Sequence, residues 1–191
     1  MCKTIEELWH GNISPQTDSR NNSPEMKQLM EYMARHHDDL LKSLNDEQKE
    51  MFEKLYKLEV LREDWETTLH KTQDILFSAK QGSYRLHCEA FDNYKKEHPE
   101  IDIHLEQILV YFLFTYFPGA VYDGMVFAKV QMAVYCTWMI ELLWMAEWIL
   151  NKRILEKQKM VKLLYRFSRE VEHSDENLVK LDKIMEKKYL L

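Results

Sequence analysis

The chain has 191 residues, enough for one domain, or a domain with an extension, and for a sizeable buried core. It is 46% hydrophobic and 30% charged, and holds only four Gly and four Pro, which favours long helices joined by short turns. The 26 basic and 32 acidic residues give a net charge of −6 with no basic stripe, so nucleic acid is not expected as a partner.

Cys2, Cys88 and Cys136 are odd in number and far apart. They make neither a disulfide framework nor a CxxC site, so no metal site is expected and the thiols are read as reduced, in a cytoplasmic protein. The opening MCKTIEELWHGN lacks the apolar centre of a signal peptide.

In chain order, Thr4-Ile5-Glu6-Glu7 has the form of a capping box, starting a short helix that Gly11 ends. Asn12 to Asn22 reads as a loop. Ser23-Pro24-Glu25 then starts a helix whose apolar face runs through Met26, Leu29, Met30 and Met33 to Leu40, Leu41 and Leu44. Asn45 caps the next helix. Its apolar positions (Met51, Phe52, Leu55, Leu58, Leu61 or Arg62, Trp65, Leu69) recur every three or four residues, so one long helix is expected, folded back on its predecessor as an antiparallel hairpin. Tyr84 to Tyr94 adds another amphipathic turn or two. His36-His37 and Asp38-Asp39 do not suggest a metal site, because adjacent residues on a helix point about 100° apart.

Lys95 to Glu100 (KKEHPE) is the expected boundary between two regions, 1–96 and 97–191. Beyond it lies the most apolar stretch, Ile108 to Leu150, whose only formal charges are Asp123, Lys129, Glu141 and Glu147. Pro118-Gly119 divides it. The first piece is too short to cross a bilayer, and the second carries Glu141 and Glu147, which are costly in lipid. The stretch therefore reads as a buried helix pair without stable membrane insertion. Its aromatic run, Tyr111, Phe112, Phe114, Tyr116 and Phe117, reads as core. Trp144 and Trp148 share a face that is either core or a partner surface. Helices are expected over Ile103 to Phe117, Met125 to Asn151, Ile154 to Glu172 and Asp175 to Tyr189. Val121-Tyr122-Asp123-Gly124 is expected to turn the chain, and Ser174 to cap the last helix. In the third of these helices Leu155, Val161, Leu164, Tyr165, Phe167 and Val171 are expected to face inward. The fold class is all-α: an N-terminal helical hairpin followed by a C-terminal helical bundle.

Two resemblances stand beside this reading. Thr4 to Pro15 (TIEELWHGNISP), Leu44 to Lys54 (LNDEQKEMFEK) and, loosely, Arg85 to Glu89 (RLHCE) resemble a family of short, uncharacterised bacterial helical proteins. That likeness implies a helical hairpin and no activity. In the second half, Leu109 to Phe117 (LVYFLFTYF), Ala120 to Gly124 (AVYDG) with Lys129-Val130, and Ser168 to Leu178 (SREVEHSDENL) resemble the C-terminal part of flagellin lysine-N-methylases over about residues 100 to 185. The resemblance implies a relation to enzymes that methylate flagellin lysines. Full members of that family carry a cysteine-rich, metal- or cluster-binding segment, which three scattered cysteines do not supply.

The expectation is an interaction or accessory module that is not catalytic alone, with no cofactor of its own. Its partner would be a protein, either flagellin or a separate catalytic half. The alternative is a lysine methyltransferase, or one subunit of it, using S-adenosylmethionine. The candidate pocket is formed by Tyr122, Asp123, Glu172 and His173. If two helix turns meet, its carboxylates would hold a lysine ammonium and Tyr122 would pack against the stem.

Overall fold

The computed structural model describes residues 46–77 and 83–186, and these are all-α. The chain divides into two units, Met1–Leu41 and Lys42–Leu191, and the described residues belong to the second. The Thr4 capping box, the Ser23 helix, His36-His37 and the Asn45 cap lie outside the described residues.

A helical stretch over 46–53 leads into a 3-10 turn, Lys54–Lys57. The helices that follow are α1 (Glu63–Phe77), α2 (Ser83–Glu97), α3 (Glu100–Tyr116), α4 (Ala120–Asp123), α5 (Val126–Leu150), α6 (Lys157–Val171) and α7 (Asp175–Glu186). Each of the outer helices shows one apolar stripe to the core: Trp65, Leu69, Thr72 and Leu76 on α1, Ile101, Leu105, Ile108 and Phe112 on α3. Helix α5 is different. It buries residues around most of its circumference and touches α1, α2, α3, α6 and α7, so the bundle is wrapped around it.

Helix α5 is long and apolar enough to cross a membrane, yet most of its apolar window is covered by protein. Every formal charge that interrupts the apolar stretch is neutralised. Glu141 meets Lys95 at 2.5 Å, Glu147 meets Lys159 at 3.1 Å, and Asp123 meets Lys129 at 3.3 Å. Lys129 also reaches Asp182 on α7 at 2.6 Å, and Lys95 reaches Asp92 at 3.0 Å and Asp102 at 3.6 Å. Burial works against both ammonium charges, but their carboxylate partners outweigh it and hold both lysines above their ordinary pKa. Trp144 and Trp148 of α5 are core, while Trp138 is partly buried: Trp148 packs against Phe91 and Tyr94, and Trp144 donates from Nε1 to the Met160 carbonyl at 3.1 Å.

Several expectations need correction. The helix expected to run unbroken from Met51 to Leu69 stops after Lys57, and Leu58 is already extended (φ −78°, ψ 153°) before α1 starts at Glu63. The apolar spacing persists through the break because Leu55, Leu58 and Trp65 are all buried on the same core. Of the aromatic run on α3, only Phe112 is buried, Tyr116 is half-buried, and Tyr111, Phe114 and Phe117 are exposed. A helix packed on one side has room inside for one stripe, however apolar the rest is. On α6, Phe167 and Val171 point inward with Met160 and Leu163, whereas Val161 and Tyr165 are exposed.

The expected turn at Val121 to Gly124 is one helical turn, α4, closed by Gly124 in the left-handed region (φ +73°), with Asp123 Oδ1 accepting from the Met125 N–H at 2.9 Å. Ser174 caps α7, its Oγ accepting from the Asn177 N–H at 3.2 Å. Between α2 and α3 the chain turns at His98-Pro99, as KKEHPE suggests, but the helices on both sides share the α5 core and lie within Lys42–Leu191.

Candidate functional site

The sequence motif Ser168 to Leu178 splits into two jobs. Glu170 and Asn177 fasten the non-helical segment that follows the 3-10 turn. Asn177, fully buried, accepts from the Glu59 N–H at 2.7 Å and donates from Nδ2 to the carbonyls of Glu59 (2.9 Å) and Glu170 (2.7 Å). Glu170 Oε2 accepts from the Leu61 N–H at 2.7 Å. The two side chains thus supply partners that a non-helical backbone would otherwise lack. Leu58 to Arg62 stays non-helical, and residues more than a hundred positions away supply hydrogen bonds that a helix would have made.

Ser168 and Glu172 of the same motif reach an open groove. Helices α3 and α6 run side by side in the same direction: Phe112 meets Phe167, and four residues on Tyr116 donates from its hydroxyl to Glu172 Oε1 at 3.0 Å. Between them lies a groove of about 510 Å³. Its floor is Phe112, Trp144 and Met160, and its walls include Ile108 and Tyr111 from α3 and Val161, Leu164 and Tyr165 from α6. His104, Gln107 and Lys157 lie toward one end, and Ser168 and Glu172 toward the other.

Glu172 is the carboxylate of this groove. Burial, reinforced by that carboxylate, raises the phenol pKa values of Tyr111 and Tyr116 above their ordinary value, so both hydroxyls stay protonated and can donate to Glu172. An apolar, aromatic-walled trough with a half-buried carboxylate at one end suits a cationic head on an aliphatic stem. The stem would lie along Tyr111, Val161 and Tyr165, and the head would meet Glu172.

Of the four residues singled out from sequence, only Glu172 lines this groove. Asp123 is occupied by the Met125 N–H and Lys129. Tyr122 projects into solvent on α4, and His173 is exposed just past α6. Among the described residues no hydrogen bond or ion pair joins the Tyr122-Asp123 turn to the Glu172-His173 turn. Sequence reasoning missed Tyr111, Trp144 and Tyr165 as groove residues by assigning them to the core or leaving them as possible core. The available signal was the spacing Val161, Tyr165, Ser168, Glu172, a 4-3-4 stripe on α6 that ends in an acid.

Among the described residues no group of three or more His, Cys, Asp or Glu could hold a metal ion. Nor do the described residues contain a strand.

The family model described as the FliB lysine N-methylase C-terminal domain matches residues 2–190. The match runs through both halves of the chain, where the sequence resemblance to lysine methylases was confined to about residues 100 to 185. No curated protein and no solved structure matches the chain.

Proposed function

Since the chain belongs to the FliB lysine N-methylase C-terminal domain family, we propose that it is a helical accessory module that holds a lysine-bearing segment of a protein partner in the α3–α6 groove. The observation that carries this reading is Glu172 at the end of an aromatic-walled trough, its carboxylate hydrogen-bonded by Tyr116. The partner of this cytoplasmic module is flagellin, and methyl transfer falls to a separate catalytic part.

Calorimetry with purified flagellin tests the proposal. Saturable binding that weakens in Glu172→Gln supports it. Absence of binding, or binding indifferent to Glu172, removes it. A second reading, methyl transfer by the chain itself from S-adenosylmethionine, rests on the family match. Calorimetry with that donor, alone and with flagellin, decides it, and no heat in either titration ends it.

A further inference from the structure

Away from the groove, the tip of the α3–α5 hairpin is apolar and open. Phe114 is 80% exposed, Val121 83% and Tyr122 93%, and Phe117, Val126 and Phe127 are close to half exposed. The six lie on the end of α3, on the 3-10 turn that follows it (Phe117–Gly119), on α4 and on the first turn of α5, and α3 and α5 pack against each other. With the four aromatic side chains offering about 150–250 Å² each and the two valines less, their open area is on the order of 600–850 Å². That exceeds the largest apolar patch of a typical monomer, roughly 300–600 Å², and matches the roughly 800 Å² per partner of a stable interface.

Among the described residues the face also carries no unpaired charge. No formal charge occurs from Gln107 to Tyr122. The charges that follow in this segment, Asp123 and Lys129, are spent on each other, and Lys129 is further tied to Asp182. This composition favours one occupant. Across a two-fold axis the same patch meets itself, so any unpaired charge near the axis would face its own copy. An uncharged aromatic patch carries no such penalty, and Phe114 and Tyr122 are the anchor types that dominate interface energetics.

We infer that the α3–α5 tip is the interface of a homodimer, two copies meeting face to face about a two-fold axis. The inference does not depend on the α3–α6 groove or its ligand. The test is sedimentation equilibrium of the full chain from low to high micromolar concentration, with Phe114→Glu and Tyr122→Glu as variants. Both side chains project into solvent, so the variants keep the wild-type circular dichroism. The wild type is expected to dimerise, and each variant to weaken the dimer by about 30-fold or more, the effect of losing one interface anchor. A wild type that stays monomeric at every concentration overturns the inference. If that monomer floats with phosphatidylcholine vesicles, the face is lipid-binding; if it does not, the face belongs to a different protein. A dimer that persists unchanged in the double variant places the interface elsewhere and overturns the inference equally.

Discussion

Replacing Asn177 with Ala isolates the clamp that breaks the helix at Leu58. The substitution deletes three side-chain hydrogen bonds, to the Glu59 N–H and to the carbonyls of Glu59 and Glu170. At roughly 0.5–1.5 kcal/mol net for each of the three bonds, the loss is about 2–4 kcal/mol. For a unit of this size that corresponds to a fall in Tm of about 5–15 °C. Urea unfolding followed by circular dichroism gives the free energy, and native-state hydrogen exchange at the Glu59 amide shows whether the loss is local. Asn177→Asp sharpens the test. It keeps an acceptor for the Glu59 N–H but sets a carboxylate against two carbonyl oxygens, so it should be no better than Ala. A variant within about 0.5 kcal/mol of wild type, the range of ordinary surface substitutions, with unchanged exchange at Glu59, would refute the clamp.

Three further outcomes follow from the same geometry. Lys95→Met leaves Glu141, Asp92 and Asp102 facing one another without their cation; because those carboxylates are partly solvated, the cost is about 1–3 kcal/mol at neutral pH rather than the full penalty of a buried pair, as measured by denaturant unfolding. The folded-state pKa of Lys95 lies above its ordinary value of 10.5, so its stabilisation is complete below that pH and fades as pH rises toward the folded value. An alkaline stability scan should show this loss in wild type and a shallower one in Lys95→Met. Burial pushes the thiol of Cys136 far up, and the side chain is almost fully covered; alkylation mapped by mass spectrometry should modify Cys136 only at the rate of unfolding, and rapid native labelling would contradict its placement in the core.

What the sequence made legible depended on whether the deciding interaction was local. Helix α5 differs by one residue at each end from the span expected, because apolar density, Gly124 and the Asn151 turn all mark it within the segment. The cap of α7 by Ser174 is equally local. The break at Leu58 was hidden because its cause, Glu170 and Asn177, lies more than a hundred residues away, while Leu55, Leu58 and Trp65 keep the apolar rhythm through the break. The aromatic run on α3 was misjudged for another reason. Composition reports how much apolar surface a helix has but not how many of its sides the fold covers, and α3 is covered along the Ile101-to-Phe112 stripe only. The candidate site was half legible. Glu172 was singled out for its charge within a specific motif, whereas the groove beside it depends on how α3 and α6 lie together.

The most direct test of the groove assignment is a double-mutant cycle on binding. Wild type and Glu172→Gln are titrated with a flagellin peptide carrying lysine and with the same peptide carrying norleucine, which keeps the stem and removes the ammonium. Wild type is expected to prefer lysine by about 10–100-fold, the worth of a charged hydrogen bond, and Glu172→Gln to erase most of that preference. Equal affinity for the two peptides in wild type, or the same lysine preference in both proteins, contradicts it.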